Sequence, residues 1–169
     1  MADIAPKRFI PYRVLVDRDV EDFEVPKLAY QADDEIDVRN EQIRRVFVSL
    51  HGTGGDALFY YNNGTDSVAS REATDPGTAA ETFVIAPQFP KLGELTTTPP
   101  SDLLYWGGGR ASGSPSSDDP SARRRFKIRS YDAMDALITH LCRAEIFPNL
   151  KIIVIAGHSN GGRFLARYA

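Results

Sequence analysis

One cysteine is all the chain has, Cys142, so no disulfide can close within it and no zinc site can be assembled from thiolates. No apolar run approaches the length of a membrane span. Met1 to Leu15 carries Pro6, Pro11 and interspersed charges in place of a continuous apolar stretch, which argues against a signal peptide. A large charge of either sign is missing too. The net charge is −3, which removes the usual electrostatic reason to bind nucleic acid or an acidic membrane. The expected setting is therefore the cytoplasm, with no membrane span and no nucleic-acid partner. Asn63-Gly64-Thr65 is a glycosylation sequon that matters only in a secreted chain.

What is present suits a globular protein: 169 residues, 42% hydrophobic and 25% charged. We expect one domain over 1–169, with N-terminal strands and a loop in 1–43 and the core in 44–169. Tyr12–Val16 and Phe23–Tyr30 read as strands, and Asp33–Gln42 as a polar loop. Arg45–Leu50 is β-rich with little alternation, as a strand covered on both faces should be. A helix should begin at Asp56, its own cap, break near Asn62-Asn63-Gly64 and resume toward Arg71. Thr82–Ala86 is the next buried strand, closed by Pro87. Gln88–Arg125 is a long loop rich in Pro, Gly, Ser and Asp, with Arg123-Arg124-Arg125 a solvated triplet beside Asp118 and Asp119. Ser130 should cap a helix reaching Ile146, with Met134, Leu137, Ile138 and Leu141 on its apolar stripe. Lys151–Ala156 is the last strand, and a helix follows from Asn160. Strands alternating with helices imply an α/β fold with a parallel sheet, and ligands at the carboxyl ends of its strands.

Two glycine-rich boxes sit at such ends. Gly157-His158-Ser159-Asn160-Gly161 is a G-x-S-x-G box directly after Lys151–Ala156, and His51-Gly52-Thr53-Gly54-Gly55 follows Arg45–Leu50. A G-x-S-x-G pattern arises by chance in roughly one chain in fifteen of this length, so the box alone is weak. Its place between a buried strand and a helix makes it a nucleophile elbow, in which a serine hydroxyl stands clear of the sheet on a strained turn. Gly157 and Gly161 would remove side chains that otherwise collide with the strand and the incoming helix, and Gly162 adds room. Acyl transfer puts negative charge on the former carbonyl oxygen, which backbone amides fixed in advance can stabilise. One amide should come from Asn160 and the other from the Gly52 loop, at Thr53 or, second choice, Gly54.

None of the histidines is a convincing base for Ser159. His158 should point away from the serine hydroxyl, His51 should shape its loop, and His140 should lie half solvated on its helix. Asp56, Asp102 and Asp118 read as cap or loop residues. Gly52-Thr53-Gly54-Gly55-Asp56-Ala57 also fits a dinucleotide-binding G-x-G-x-x-A, but the next strand ends in Ala86-Pro87-Gln88 where the ribose-binding acid belongs. No cofactor or metal is expected.

The chain resembles the α/β-hydrolase superfamily, and within it microbial hydrolases distantly similar to polyester depolymerases and feruloyl esterases. The resemblance covers roughly Arg44 to the end. Besides the two boxes it rests on Tyr60-Tyr61, Val84-Ile85-Ala86-Pro87-Gln88-Phe89, Leu104-Tyr105-Trp106, Phe147-Pro148-Asn149-Leu150 and Arg167-Tyr168-Ala169. It implies an incomplete α/β-hydrolase fold: a mostly parallel sheet with helices on both faces, truncated after the elbow. By the same resemblance Ser159 is the nucleophile of a carboxylic-ester hydrolase acting on a small-molecule or polymer ester. Thr53 and Asn160 form the oxyanion hole, and Tyr105 and Trp106 border a pocket. Asn160 stands where a small residue is expected. The family's acid and histidine fall after strands this sequence lacks, so the chain alone should be inactive. Its last strand should be an edge open to self-association. The other reading is a non-catalytic remnant or binding module on the same fold.

Overall fold

The structure is a computed structural model that describes residues 8–11, 27–95, 103–116 and 127–169. The strand expected over Tyr12–Val16 lies outside these residues, as do Asp102, Asp118 and the arginine triplet. Five strands form one sheet: β1 (Arg8–Pro11), β2 (Lys27–Ala32), β3 (Arg45–Leu50), β4 (Thr82–Gln88) and β5 (Ile152–Gly157), in the order β1-β2-β4-β3-β5. Three helices accompany it: α1 (Ala57–Glu72), α2 (Ser130–Leu141) and α3 (Asn160–Tyr168). The protein is of the α/β class.

The sheet is mixed, where a mostly parallel one is expected. β3 pairs in parallel with both β4 and β5, but β2 is antiparallel to β1 and to β4. The reason lies in the connections. A parallel neighbour needs a crossover, usually a helix. Helices α1 and α2 supply one on each side of β4, whereas the segment from Asp33 to Arg44 that leaves β2 has no helix. Asp33 pins its start: the carboxylate accepts from Val84 N–H at 2.7 Å and from the Tyr61 hydroxyl at 2.9 Å.

Helices cover both faces of the sheet. On one, α1 lies against Phe47 and Val84; on the other, Val46, Val48 and Ile85 pack with Met134, Leu137 and Leu141 of α2 and Phe164 of α3. Asp56 caps α1 as expected, accepting from Phe59 N–H at 2.9 Å. The break expected at Asn62-Asn63-Gly64 does not occur. Gly64 is buried, and a Cβ there would stand 2.9 Å from Val84 Cγ1 and 3.3 Å from the Phe47 ring. It lets the helix approach the sheet. In an exposed helix Gly→Ala would stabilise by about 1 kcal/mol. Here overpacking reverses the sign, and Gly64→Ala should cost about 1–3 kcal/mol in urea unfolding.

Helix α2 starts and ends differently from expectation. Arg129 is its cap position, and Ser130, inside the first turn, donates its hydroxyl to Arg110 O at 2.6 Å. The helix stops at Leu141, because the following turns carry Ile146 and Phe147 into the core, where Ile146 O accepts from Asn40 N–H at 2.8 Å. Strand β4 likewise runs through Pro87 to Gln88. β5 is an edge of the sheet, with Ile152 and Val154 exposed. Among the described residues no helix is long and apolar enough to cross a membrane.

Candidate functional site at the carboxyl end of the sheet

Register brings the two glycine boxes together. β3 and β5 pair so that Leu50 stands opposite Gly157, and both chains leave the sheet side by side. A Cβ on Gly52 would lie 3.5 Å from Ser159 Cβ and 3.5 Å from His158 O. Ser159 itself has φ 55° and ψ −116°, and among the described residues it is the sole non-glycine with positive φ. Such a backbone costs roughly 1–3 kcal/mol and persists only where its surroundings impose it. Packing imposes it here. A Cβ on Gly161 would reach 2.5 Å from Leu50 O, and one on Gly157 would meet the Gly161 carbonyl. Ser159→Gly should therefore gain about 1 kcal/mol in urea unfolding, while Ser159→Ala should not, since only glycine relieves the dihedral.

Ser159 is exposed at the start of α3, whose first N–H groups and dipole point toward it. Aromatic packing seats that helix: Phe164 lies 5.4 Å from Phe89 and 5.0 Å from Tyr131 between ring centroids. At the outer rim the Tyr60 hydroxyl is 3.3 Å from His158 Nδ1, so the His158 ring engages Tyr60.

The loop after β3 is held from inside. Phe89 N–H donates to His51 Nε2 at 2.9 Å, so the ring proton sits on Nδ1, which donates to Gly52 O at 3.0 Å. Gly52 O also accepts from Gly55 N–H at 3.3 Å. A trans peptide holds its carbonyl and N–H in opposite directions. Fixing Gly52 O thus fixes the Thr53 N–H, and among the described residues no acceptor takes that hydrogen. Gln88 anchors the far end of the loop: its side chain accepts from Ala57 N–H at 2.8 Å and donates to Gly55 O. Gln88 thereby occupies the place where a dinucleotide fold would carry its ribose-binding acid.

Burial holds the His51 pKa down at about 4, and the nearby Arg110 charge adds to the effect. His140 is also pushed below the ordinary histidine value, chiefly by burial and against the pull of Asp37, whose Oδ1 lies 3.0 Å from Nε2. The half-solvated position expected for His140 is not found; it is 2% exposed, because the 33–42 loop covers that flank of α2. The unfolded chain takes up a proton on His51 between pH 6.5 and about 4 that the folded chain refuses. The stabilisation is therefore complete above pH 6.5 and is lost as the pH falls through that window. Urea unfolding at pH 7.5 and pH 4 should differ by about 3 kcal/mol from His51, with His140 adding in the same direction. His51→Gln should flatten the slope.

Tyr105 and Trp106, expected at a pocket rim, are buried, and among the described residues neither lines the cavity near Ser159. Trp106 is fully buried against Phe89, with its indole N–H on Ser114 O at 3.1 Å, and Tyr105 is 5% exposed. They belong to the core because the Leu103–Trp106 stretch is tied to Lys27 and Pro90 by backbone hydrogen bonds. A cavity of about 10 Å³, partly open, lies beside the start of α3 between Leu50, His51, Phe89, Arg110, Asn160 and Phe164, with room for one water. Among the described residues no cluster of side chains could hold a metal ion.

Arg110 carries no motif and is not legible as a site residue in the sequence. It is 4% exposed, and its guanidinium donates to Phe89 O at 2.6 Å, to Glu94 Oε2 at 2.5 Å and to Thr53 O at 2.7 Å. The one available sign was Arg110 among the glycines of a long loop. No protein-family model, curated protein or solved structure matches the chain.

Proposed function

We propose that this chain is the elbow-bearing part of an α/β hydrolase, and that its chemistry is carboxylic-ester hydrolysis through an acyl-enzyme on Ser159. The observation that carries the reading is the strained backbone of Ser159 at the β5–α3 junction, within van der Waals reach of Gly52. Thr53 and Asn160 supply amides to the oxyanion, and the Thr53 donor stands on the β3–α1 loop where that fold places one. The glycines at 52, 157 and 161 permit the approach. In the same reading, the β5 edge is the surface through which two copies pair.

A second reading, a non-catalytic module on the same scaffold, is favoured by one observation. His51 and His140 are committed to buried contacts and the His158 ring engages Tyr60, so among the described residues no histidine is set as a base for Ser159. Treatment with p-nitrophenyl acetate followed by peptide mass spectrometry separates the two. We expect a slow acyl adduct on Ser159, absent from Ser159→Ala, with no turnover above that variant. Acylation scattered over other nucleophiles with Ser159 unmodified would overturn the hydrolase reading. Ser159-dependent turnover by the monomeric chain would overturn the non-catalytic reading.

A further inference from the structure

The interior of the site holds a charged group that the ester-hydrolase reading does not use. Arg110 is nearly without solvent contact, and its guanidinium reaches Thr53 O at 2.7 Å. That carbonyl shares a peptide unit with the Gly54 amide. Because the peptide is trans and planar, a carbonyl turned inward to Arg110 turns the Gly54 N–H outward. Gly54 is exposed, and a Cβ on it would meet no atom within 4 Å. We propose that Arg110 is a positioning residue that holds the Gly54 amide outward as a further donor to the oxyanion of a tetrahedral adduct on Ser159. Together with Thr53, whose peptide His51 holds in the same manner, the loop then presents two consecutive amides, and Asn160 a third.

Glu94 sets the guanidinium. Its carboxylate takes Arg110 Nη1 at 2.5 Å and the Lys91 N–H at 2.9 Å, and it lies against Gly55. Gly55, at φ 68°, has no side chain to displace it. Arg110 is also tied at its own carbonyl by the Ser130 hydroxyl at 2.6 Å. A lysine at position 110 could keep the ion pair with Glu94, but its single ammonium cannot also span the carbonyls of Phe89 and Thr53. Arg110→Lys thus separates the grip on Thr53 from the buried charge.

The inference rests on the hydrolase reading, and its test has one arm independent of it. In ¹⁵N-labelled protein, Arg110→Lys should move the Gly54 amide signal upfield in ¹⁵N, since the Thr53 carbonyl loses a charged donor. The Thr53 amide should stay in place, and Glu94→Gln should move Gly54 little. In the wild type the Arg110 Nη protons should exchange far more slowly than solvent-exposed guanidinium protons, a readout that needs no variant. The second arm is phenylboronic acid, titrated by ¹¹B resonance as trigonal boron becomes tetrahedral on the serine oxygen, with the hydroxyl proton passing to the buffer. Wild type should bind, Ser159→Ala should not, and Arg110→Lys should bind roughly tenfold or more weakly. An unmoved Gly54 signal, solvent-rate exchange at Arg110, or equal boronate affinity in wild type and Arg110→Lys overturns the proposal. Failure of the wild type to bind boronate counts against the hydrolase reading, and the Gly54 signal still decides the grip on Thr53.

Discussion

Gly161→Val unfolds the protein or leaves it barely folded, with a loss of about 4 kcal/mol or more out of the 5–15 kcal/mol that ordinary domains possess. The cost comes from where the new Cβ falls. It would stand 2.5 Å from Leu50 O and 3.0 Å from His51 O, and both are backbone atoms of strand β3 and its loop. A clash with a side chain can relax by a change of rotamer; a clash with a paired strand cannot. A graded series checks the argument by urea unfolding. Gly157→Ala should rank with Gly161→Ala, since its Cβ would meet the Gly161 carbonyl oxygen at 2.6 Å and Gly162 N at 2.8 Å. Gly162→Ala should be milder, at 3.1 Å from Gly157 O. Equal costs at the three positions would show that the glycines are there for some reason other than this approach.

Arg110→Met should cost about 3–5 kcal/mol, the usual result of removing one partner of a buried pair. The carboxylate of Glu94, 19% exposed, would lose its counter-charge, and the carbonyls of Thr53 and Phe89 would lose their donors. Pairing it with Glu94→Met should recover part of the loss, because both charges then leave the interior together. Recovery should be incomplete, since Glu94 also accepts from Lys91 N–H. The cycle is measured by urea unfolding. Additive costs for the two single changes would mean that the ions do not sense one another.

The reach of the sequence can be judged at particular residues. The two boxes were legible because each follows a dense apolar run, and register alone then decides whether such runs end together. Leu50 opposite Gly157 is that register. Local pattern failed where a distant partner decides the outcome. Gly64 reads as a helix breaker until Val84 and Phe47 are placed beneath it. His140 reads as a flank residue until the loop bearing Asp37 folds over it. The family resemblance puts Trp106 at a pocket rim, whereas its contact with Phe89 places it in the core. The direction of β2 was hidden because a polar loop does not announce that it lacks a crossover helix. Arg110 left no trace for a different reason. Its meaning lies in three oxygens drawn from widely separated segments, and no window along the chain contains them.

Gln88, at the last position of β4, clasps the segment between Gly55 and Ala57 with both ends of its amide. A loop so tied is already in its final shape before any guest arrives. Under the proposed function, a substrate over Ser159 would meet a preformed loop and give up little chain entropy there, so its affinity would reflect contact chemistry and not the cost of ordering.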